Sequence, residues 1–76
     1  MPSINEVHKM KINYADIILK LRVTLNMSQQ AMGNFLGVSF ASISRWERGL
    51  YEPTKLVKVR ILELAKENNI ELEKAK

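Results

Sequence analysis

The stretch Met27–Gly49, MSQQAMGNFLGVSFASISRWERG, decides the fold because its capping residues divide it into two short helices. Ser28 is a favourable N-cap residue, and a helix over Gln29–Leu36 can follow it. Ser39 is a second N-cap residue, and it predicts a helix over about Phe40–Glu47. Two helices of this length, so close in the chain, must be joined by a tight turn.

The turn contains Gly37, at the place where a helix needs a left-handed residue after its last turn. Glycine adopts that conformation without steric cost. Val38 precedes the second cap and can pack on Ile43, which sets the angle at which the second helix starts. The spacing alone therefore predicts a helix-turn-helix motif with a turn of about three residues.

The second helix separates its side chains into two faces at about 100° per residue. Ile43 and Trp46 share one face, which predicts that this face is buried. The opposite face carries one aromatic residue together with small, polar and basic ones, namely Phe40, Ala41, Ser44, Arg45 and Arg48. Such a thin, basic rod has the size that the major groove of B-DNA, about 12 Å wide, admits.

A resemblance to a known family follows from motifs spread over about residues 14 to 65. The motifs are Leu21-Arg22, Met27-Ser28-Gln29, Leu36-Gly37-Val38-Ser39, Ile43-Ser44-Arg45-Trp46-Glu47-Arg48-Gly49 and Pro53. In order and spacing they resemble the helix-turn-helix of the Cro/C1-type, or Xre, family of lambda-repressor-like DNA-binding domains. The ordered set is far more specific than any one dipeptide.

The resemblance implies an all-α fold, a compact domain of four to five helices whose second and third helices form the motif. It also implies a sequence-specific transcriptional regulator of the repressor kind that binds double-stranded DNA. A homodimer is expected because a single module of this size contacts few base pairs. Two alternatives stay open: a protein-interaction module on the same fold, and the antitoxin component of a toxin–antitoxin pair. An enzyme is not expected, because the chain has no phosphate-binding Gly-rich loop, no nucleophile–base pair and no convergent carboxylates.

The resemblance and the helix faces together give the expected DNA contacts. The candidate residues are Ser28, Gln29, Ser39, Phe40, Ala41, Ser42, Ser44, Arg45 and Arg48. Gln29 matches the family's phosphate-contacting glutamine. Arg45 suits either guanine O6 and N7 or a phosphate, and Phe40 suits either a thymine methyl group or the sugar-phosphate backbone. Arg48, with Lys55 or Lys58, is expected to add charge near the DNA backbone.

Two further expectations concern the interior. Arg22 and Glu47 match a family pair that forms a partly buried ion pair between the first and third helices. Gly33 stands where the family usually has alanine, a position that needs a small residue because the next helix crosses closely.

Composition bounds the remaining possibilities. The chain of 76 residues allows one small domain, with a formal net charge of +4 and 46% hydrophobic residues. Residues 1–62 hold nine Lys/Arg against four Asp/Glu, so the positive charge lies with the motif and suits a polyanionic partner. There is no cysteine and His8 stands alone, so no metal site, catalytic residue or cofactor is expected. The sequence shows neither a membrane span nor a signal peptide, so a cytoplasmic protein is the default expectation. It also gives no sign of a small-molecule substrate.

The domain is expected over residues 13–69, with an N-terminal arm over 1–12 and a tail over 70–76. The arm is either a frayed terminus or a segment whose His8, Lys9 and Lys11 touch DNA or a partner subunit. Leu19 and Val23 lie off the apolar stripe of the first helix, so they either pack under the last helix, the preferred interpretation, or form a subunit interface.

Two sets of apolar residues exceed what one core requires. Phe35 is expected to be partly covered by another element or to mark an interface. The last helix, from Lys55 to about Glu67, carries more apolar residues than one stripe needs, and a homodimer seam is predicted from the surplus at Val57, Ile61 and Leu64.

Overall fold

The computed structural model describes residues 12–71, and these form four helices. They are α1 (Tyr14–Leu25), α2 (Gln29–Leu36), α3 (Phe40–Glu47) and α4 (Lys55–Glu67). The predicted all-α fold of four to five helices is confirmed, with the helix-turn-helix at α2 and α3. The arm residues His8, Lys9 and Lys11 lie outside the described part of the chain, as do tail residues 72–76. Across residues 12–71, no helix has both the length and the apolar character that crossing a membrane requires.

The helix boundaries follow from local hydrogen bonding. The side chains of Asn13, Ser28 and Ser39 each accept a hydrogen bond from the backbone amide three residues later, at 3.1, 3.0 and 3.2 Å. These bonds satisfy amides that the first turn of a helix leaves without a partner. At the other ends, Asn26 (φ 54°) and Gly37 (φ 75°) adopt the left-handed conformation that stops α1 and α2.

The core lies where α1 crosses α3 and α4, and it takes one face from every helix. Its fully buried large side chains are Ile17, Ile18, Leu21, Met32, Ile43 and Ile61. Ile12 and Ile70, which the sequence assigned to the arm and the tail, are also buried in this cluster. The packed body of the domain therefore includes residues on both sides of the predicted 13–69 segment.

The homodimer seam predicted on α4 is wrong. Val57 and Ile61 are buried in the core, and Leu64 packs against it. The exposed apolar residue of α4 is instead Leu56, whose side chain is 74% exposed. Most of the apolar residues of α4 are used in the core, where this helix packs chiefly against α1.

The preferred interpretation of α1 is also wrong, because Leu19 and Val23 do not pack under the last helix. Both are exposed, Val23 to 75%, and they line a shallow groove of about 580 Å³ whose other wall is Asn69–Glu71. Phe35, at the end of α2, is 45% exposed and so is only partly covered. Its carbonyl oxygen accepts a long hydrogen bond of 3.5 Å from Arg60 of α4.

Gly33 allows α2 and the turn to approach each other closely. A Cβ atom at this position would lie 2.7 Å from the carbonyl oxygen of Val38 and 3.2 Å from the carbonyl carbon of Ser39. The same segment is held by a 2.8 Å hydrogen bond from the Val38 amide to the Gly33 carbonyl. The position therefore excludes any side chain, including the alanine usual in the family, unless the backbone moves.

Candidate nucleic-acid interface

The two faces of α3 differ completely in their surroundings. Ile43 and Trp46 are buried in the core, whereas Phe40, Arg45 and Arg48 are exposed. The indole therefore points into the protein, and the arginine edge faces solvent. Such an arrangement leaves one side of an eight-residue helix free to contact a second molecule.

The free side of α3 is narrow because its remaining residues are small. Ala41, Ser42 and Ser44 are partly buried, and none of them extends far from the helix axis. A helix with side chains is about 10–12 Å across, close to the width of the major groove. The small residues keep this helix near the lower end of that range.

Ser39 and Ser42 form a closed pair at the start of α3. The Ser39 hydroxyl oxygen accepts the Ser42 amide at 3.2 Å, and the two hydroxyl oxygens lie 3.1 Å apart within hydrogen-bonding distance. Both hydroxyls therefore have a partner inside the protein. Only one of the two hydroxyl hydrogens is used in this contact, so the other hydroxyl can still donate to a phosphate oxygen.

The start of α2 presents a second polar surface. Ser28 is exposed, and Gln29 is partly buried with its amide nitrogen 3.4 Å from the Glu47 Oε1 atom. Backbone N–H groups in the first turn of a helix carry partial positive charge and can bind an anion. The Gln29 side chain thus lies beside a position suited to phosphate, and its hydrogen bond to Glu47 of α3 holds it there.

Glu47 is the centre of a hydrogen-bond network that joins three helices. Arg22 of α1 donates from Nε to Glu47 Oε2 at 2.7 Å and from Nη2 to Oε1 at 2.9 Å. Arg22 also donates from Nη1 to the Met27 carbonyl at 3.3 Å. The two-point geometry and partial burial of both side chains make this a directional contact that sets the angle of α3 against α1.

The bond between Gln29 and Glu47 was not foreseen from the sequence. The resemblance implied separate roles for these residues, one at phosphate and one in the ion pair. They lie 18 residues apart on different helices, and no local pattern signals such a contact. It connects the ion pair to the candidate phosphate site.

The cations of the domain fall into two groups. Arg45 and Arg48 form no ion pair or hydrogen bond through their side chains with any other residue between 12 and 71. Lys58 was one of the residues expected near the DNA backbone. Its Nζ atom instead lies 2.8 Å from Glu52 Oε2 and 5.1 Å from the centre of the Tyr14 ring. Arg45 and Arg48 are therefore available to a polyanion, whereas Lys58 already has a carboxylate partner. Lys55, the other expected contact, is exposed.

Tyr14 has a shifted pKa. Burial raises the pKa of its phenol above the usual value of 10.0; Lys58 lowers it and Glu52 raises it. This residue packs in the core and has no part in the exposed face of α3. Within residues 12–71 no three His, Cys, Asp or Glu side chains come together as a possible metal site.

Comparison with known proteins gives one finding that bears on this geometry. A family model described as "Helix-turn-helix" matches residues 18–73, which include all of α2, α3 and α4. No curated protein and no solved structure shows significant similarity to the chain.

Proposed function

Because the chain belongs to the Cro/C1-type helix-turn-helix family, whose members are DNA-binding regulators, we propose that it represses transcription by binding specific double-stranded DNA. In this proposal the helix over residues 40–48 enters the major groove, where side chains of its free face contact the edges of the bases. The proposed site of action is the cytoplasm, where such a regulator meets its DNA.

The observation that carries the proposal is the division of α3 into a buried and a free face. Trp46 anchors the helix in the core, and the free face ends in two arginines that have no partner among the described residues. An unpaired arginine is a favourable ligand for phosphate and for guanine, because its planar fork of donors matches both.

Binding is proposed to start from phosphate attraction and to end in base contact. Arg48, the first turn of α2, Ser28 and Gln29 contact phosphates and orient the domain without reading sequence. Arg45 then reaches a base edge, where a two-point contact to guanine discriminates by about 1–3 kcal/mol. Ser39, Ala41, Ser42 and Ser44 line the same face.

A homodimer is part of the proposal, because one small module contacts too few base pairs for useful affinity. Two copies on a two-fold symmetric site would place their α3 helices one turn of DNA apart, about 34 Å. The sequence selected by such a dimer should be a palindrome.

A protein-interaction role is the second candidate, either alone or as an antitoxin. The exposed apolar residues Leu19 and Val23 of α1 favour it, since they lie on a different helix from the free face of α3. Such a role is compatible with DNA binding. It predicts that a bound partner would cover the exposed side of α1 and exclude solvent from it.

Selection of binding sites from a random pool of duplex DNA tests the main proposal. We expect a palindromic consensus, and binding to it should weaken steeply with salt because phosphate contacts release counterions. Retention of no duplex at low ionic strength would refute the proposed function.

Substitutions then separate the proposed roles on the selected site. Arg48→Ala should weaken binding to all sequences and reduce the salt slope by about one, whereas Arg45→Ala should chiefly relax specificity at one position. Gln29→Ala should weaken binding without changing the slope, because a neutral side chain releases no counterion. Lys66→Ala, an exposed residue at the end of α4, removes the same charge as the arginine variants and should have little effect.

A further inference from the structure

The phenyl ring of Phe40 is exposed to solvent at the start of α3. Phe40 is the first residue of α3, and its side chain is 52% exposed. Burial of a phenylalanine side chain is worth about 1.5–3 kcal/mol, so an exposed ring forgoes part of that. In helix-turn-helix proteins the N-terminal residues of the second motif helix are those that contact base edges.

The neighbours of Phe40 on α3 are small, and serine hydroxyls, including that of Ser44, are their only polar side-chain groups. The hydroxyls of Ser39 and Ser42 lie within hydrogen-bonding distance of each other, and Ala41 has no polar side-chain atom. The charged side chains of the free face are Arg45 and Arg48, one and two turns further along. The free face of α3 therefore carries one large apolar side chain, Phe40, at its N-terminal end, while its two arginines lie at the other end.

The phenyl ring of Phe40 matches one feature of the major groove. Purines and cytosine present hydrogen-bond donors or acceptors there, and covering one with a phenyl ring leaves it without a partner. The C5-methyl group of a pyrimidine is the apolar group at the same edge. Thymine always carries it, and 5-methylcytosine carries the same group beside an amino donor.

We infer that Phe40 recognises the C5-methyl group of a pyrimidine in the bound DNA. The inference rests on the proposed function, because it requires α3 to lie in the major groove. It adds a rule for the ligand: each half-site contains a methylated pyrimidine at the position facing the start of α3, and Arg45 reads a different position.

Replacement of thymine by deoxyuridine tests the inference, since it removes the methyl group and keeps every hydrogen bond of the base pair. Each thymine of the selected site is replaced in turn, and the dissociation constant is measured for the unaltered protein and for Phe40→Ala. We expect one position per half-site where uracil weakens binding about fourfold, the value for one buried methyl-sized group. With Phe40→Ala the same replacement should have no effect.

Two variants control the comparison. Phe35→Ala removes the other exposed phenylalanine, which lies at the end of α2, and it should keep the full sensitivity to uracil. Phe40→Leu keeps an apolar side chain on a helix-forming residue and should retain part of the sensitivity, which guards against a folding defect in the alanine variant.

Thymine and 5-methylcytosine can both supply the methyl group, and they are compared at the position where uracil weakens binding. Cytosine and 5-methylcytosine, each paired with guanine, replace the thymine there. Tighter binding of the methylated base would support recognition of the methyl group wherever it occurs, and equal weak binding of both would restrict the recognition to thymine. Equal sensitivity to uracil in the unaltered protein and in Phe40→Ala would overturn the inference while leaving the proposed function intact; binding to no duplex would remove both.

Discussion

Substitution of Gly33 by alanine should destabilise the domain, although alanine is the better helix former and the usual residue of the family. The new Cβ atom would lie 2.7 Å from the Val38 carbonyl oxygen, whereas ordinary contact begins at 3.4 Å. The turn must therefore move away from α2 by about 0.7 Å. The obstacle is backbone, so no side chain can rotate to make room.

The magnitude follows from two opposing terms. Replacement of glycine by alanine inside a helix stabilises by about 1 kcal/mol, while inserting an atom into a closely packed site destabilises by about 1–3 kcal/mol. Because the displaced groups include the Val38 hydrogen bond to Gly33, the upper part of that range applies. We expect a net loss of about 1–2 kcal/mol in the free energy of unfolding, and a fall in Tm of about 5–10 °C for a domain of this size.

Urea and thermal unfolding, followed by helical circular dichroism, measure this loss. Asn34→Gly compared with Asn34→Ala, at an exposed position in the same helix, gives the helix-propensity term alone. Gly33→Ala should have a lower free energy of unfolding than the unaltered protein, even though Asn34→Ala should be more stable than Asn34→Gly. A Gly33→Ala variant as stable as the unaltered protein, or more stable, would refute the close approach of α2 and the turn.

Three further predictions concern stability. Arg22→Ala and Glu47→Ala should each lower the free energy of unfolding by about 2–3 kcal/mol, because each leaves a partly buried charge without its partner; the double variant should lose much less than the sum, and additive losses would show that the residues do not interact. The folded protein holds the Tyr14 proton where the unfolded chain loses it, so stability should decrease as the pH rises above 10.0, and an unfolding series with Tyr14→Phe should lack this decrease. Gly37→Ala should cost about 1 kcal/mol because φ is 75°, and Gly37→Asn should cost less in the same assay; an equal loss for both would argue against a left-handed C-terminal residue.

The helix boundaries could be predicted from the sequence because their signals are local. Ser28 and Ser39 cap through amides only three residues away, and Gly37 stops α2 by its own backbone freedom. The burial of Ile43 and Trp46 followed from their spacing on one short helix. The pair of Arg22 with Glu47 came from the resemblance, and both residues lie where it implied.

The remaining features depend on contacts distant in sequence, which one sequence does not reveal. Val57, Ile61 and Leu56 are all apolar, so the sequence does not show which of them is buried. The packing of α4 against α1 buries Val57 and Ile61 and leaves Leu56 exposed. The exposure of Leu19 and Val23 likewise depends on where the last helix lies. The DNA contacts remain predictions, since they need a second molecule to be seen.

The position of Phe40, Arg45 and Arg48 outside both the core and the Glu47 network has an evolutionary consequence. Exchanges at such surface sites usually alter stability by less than about 0.5 kcal/mol. If α3 reads DNA as proposed, the preferred sequence can therefore change through single mutations while the scaffold that positions the helix stays the same. Related regulators in one cell could then acquire different targets without first gaining stability, until they no longer compete for the same sites.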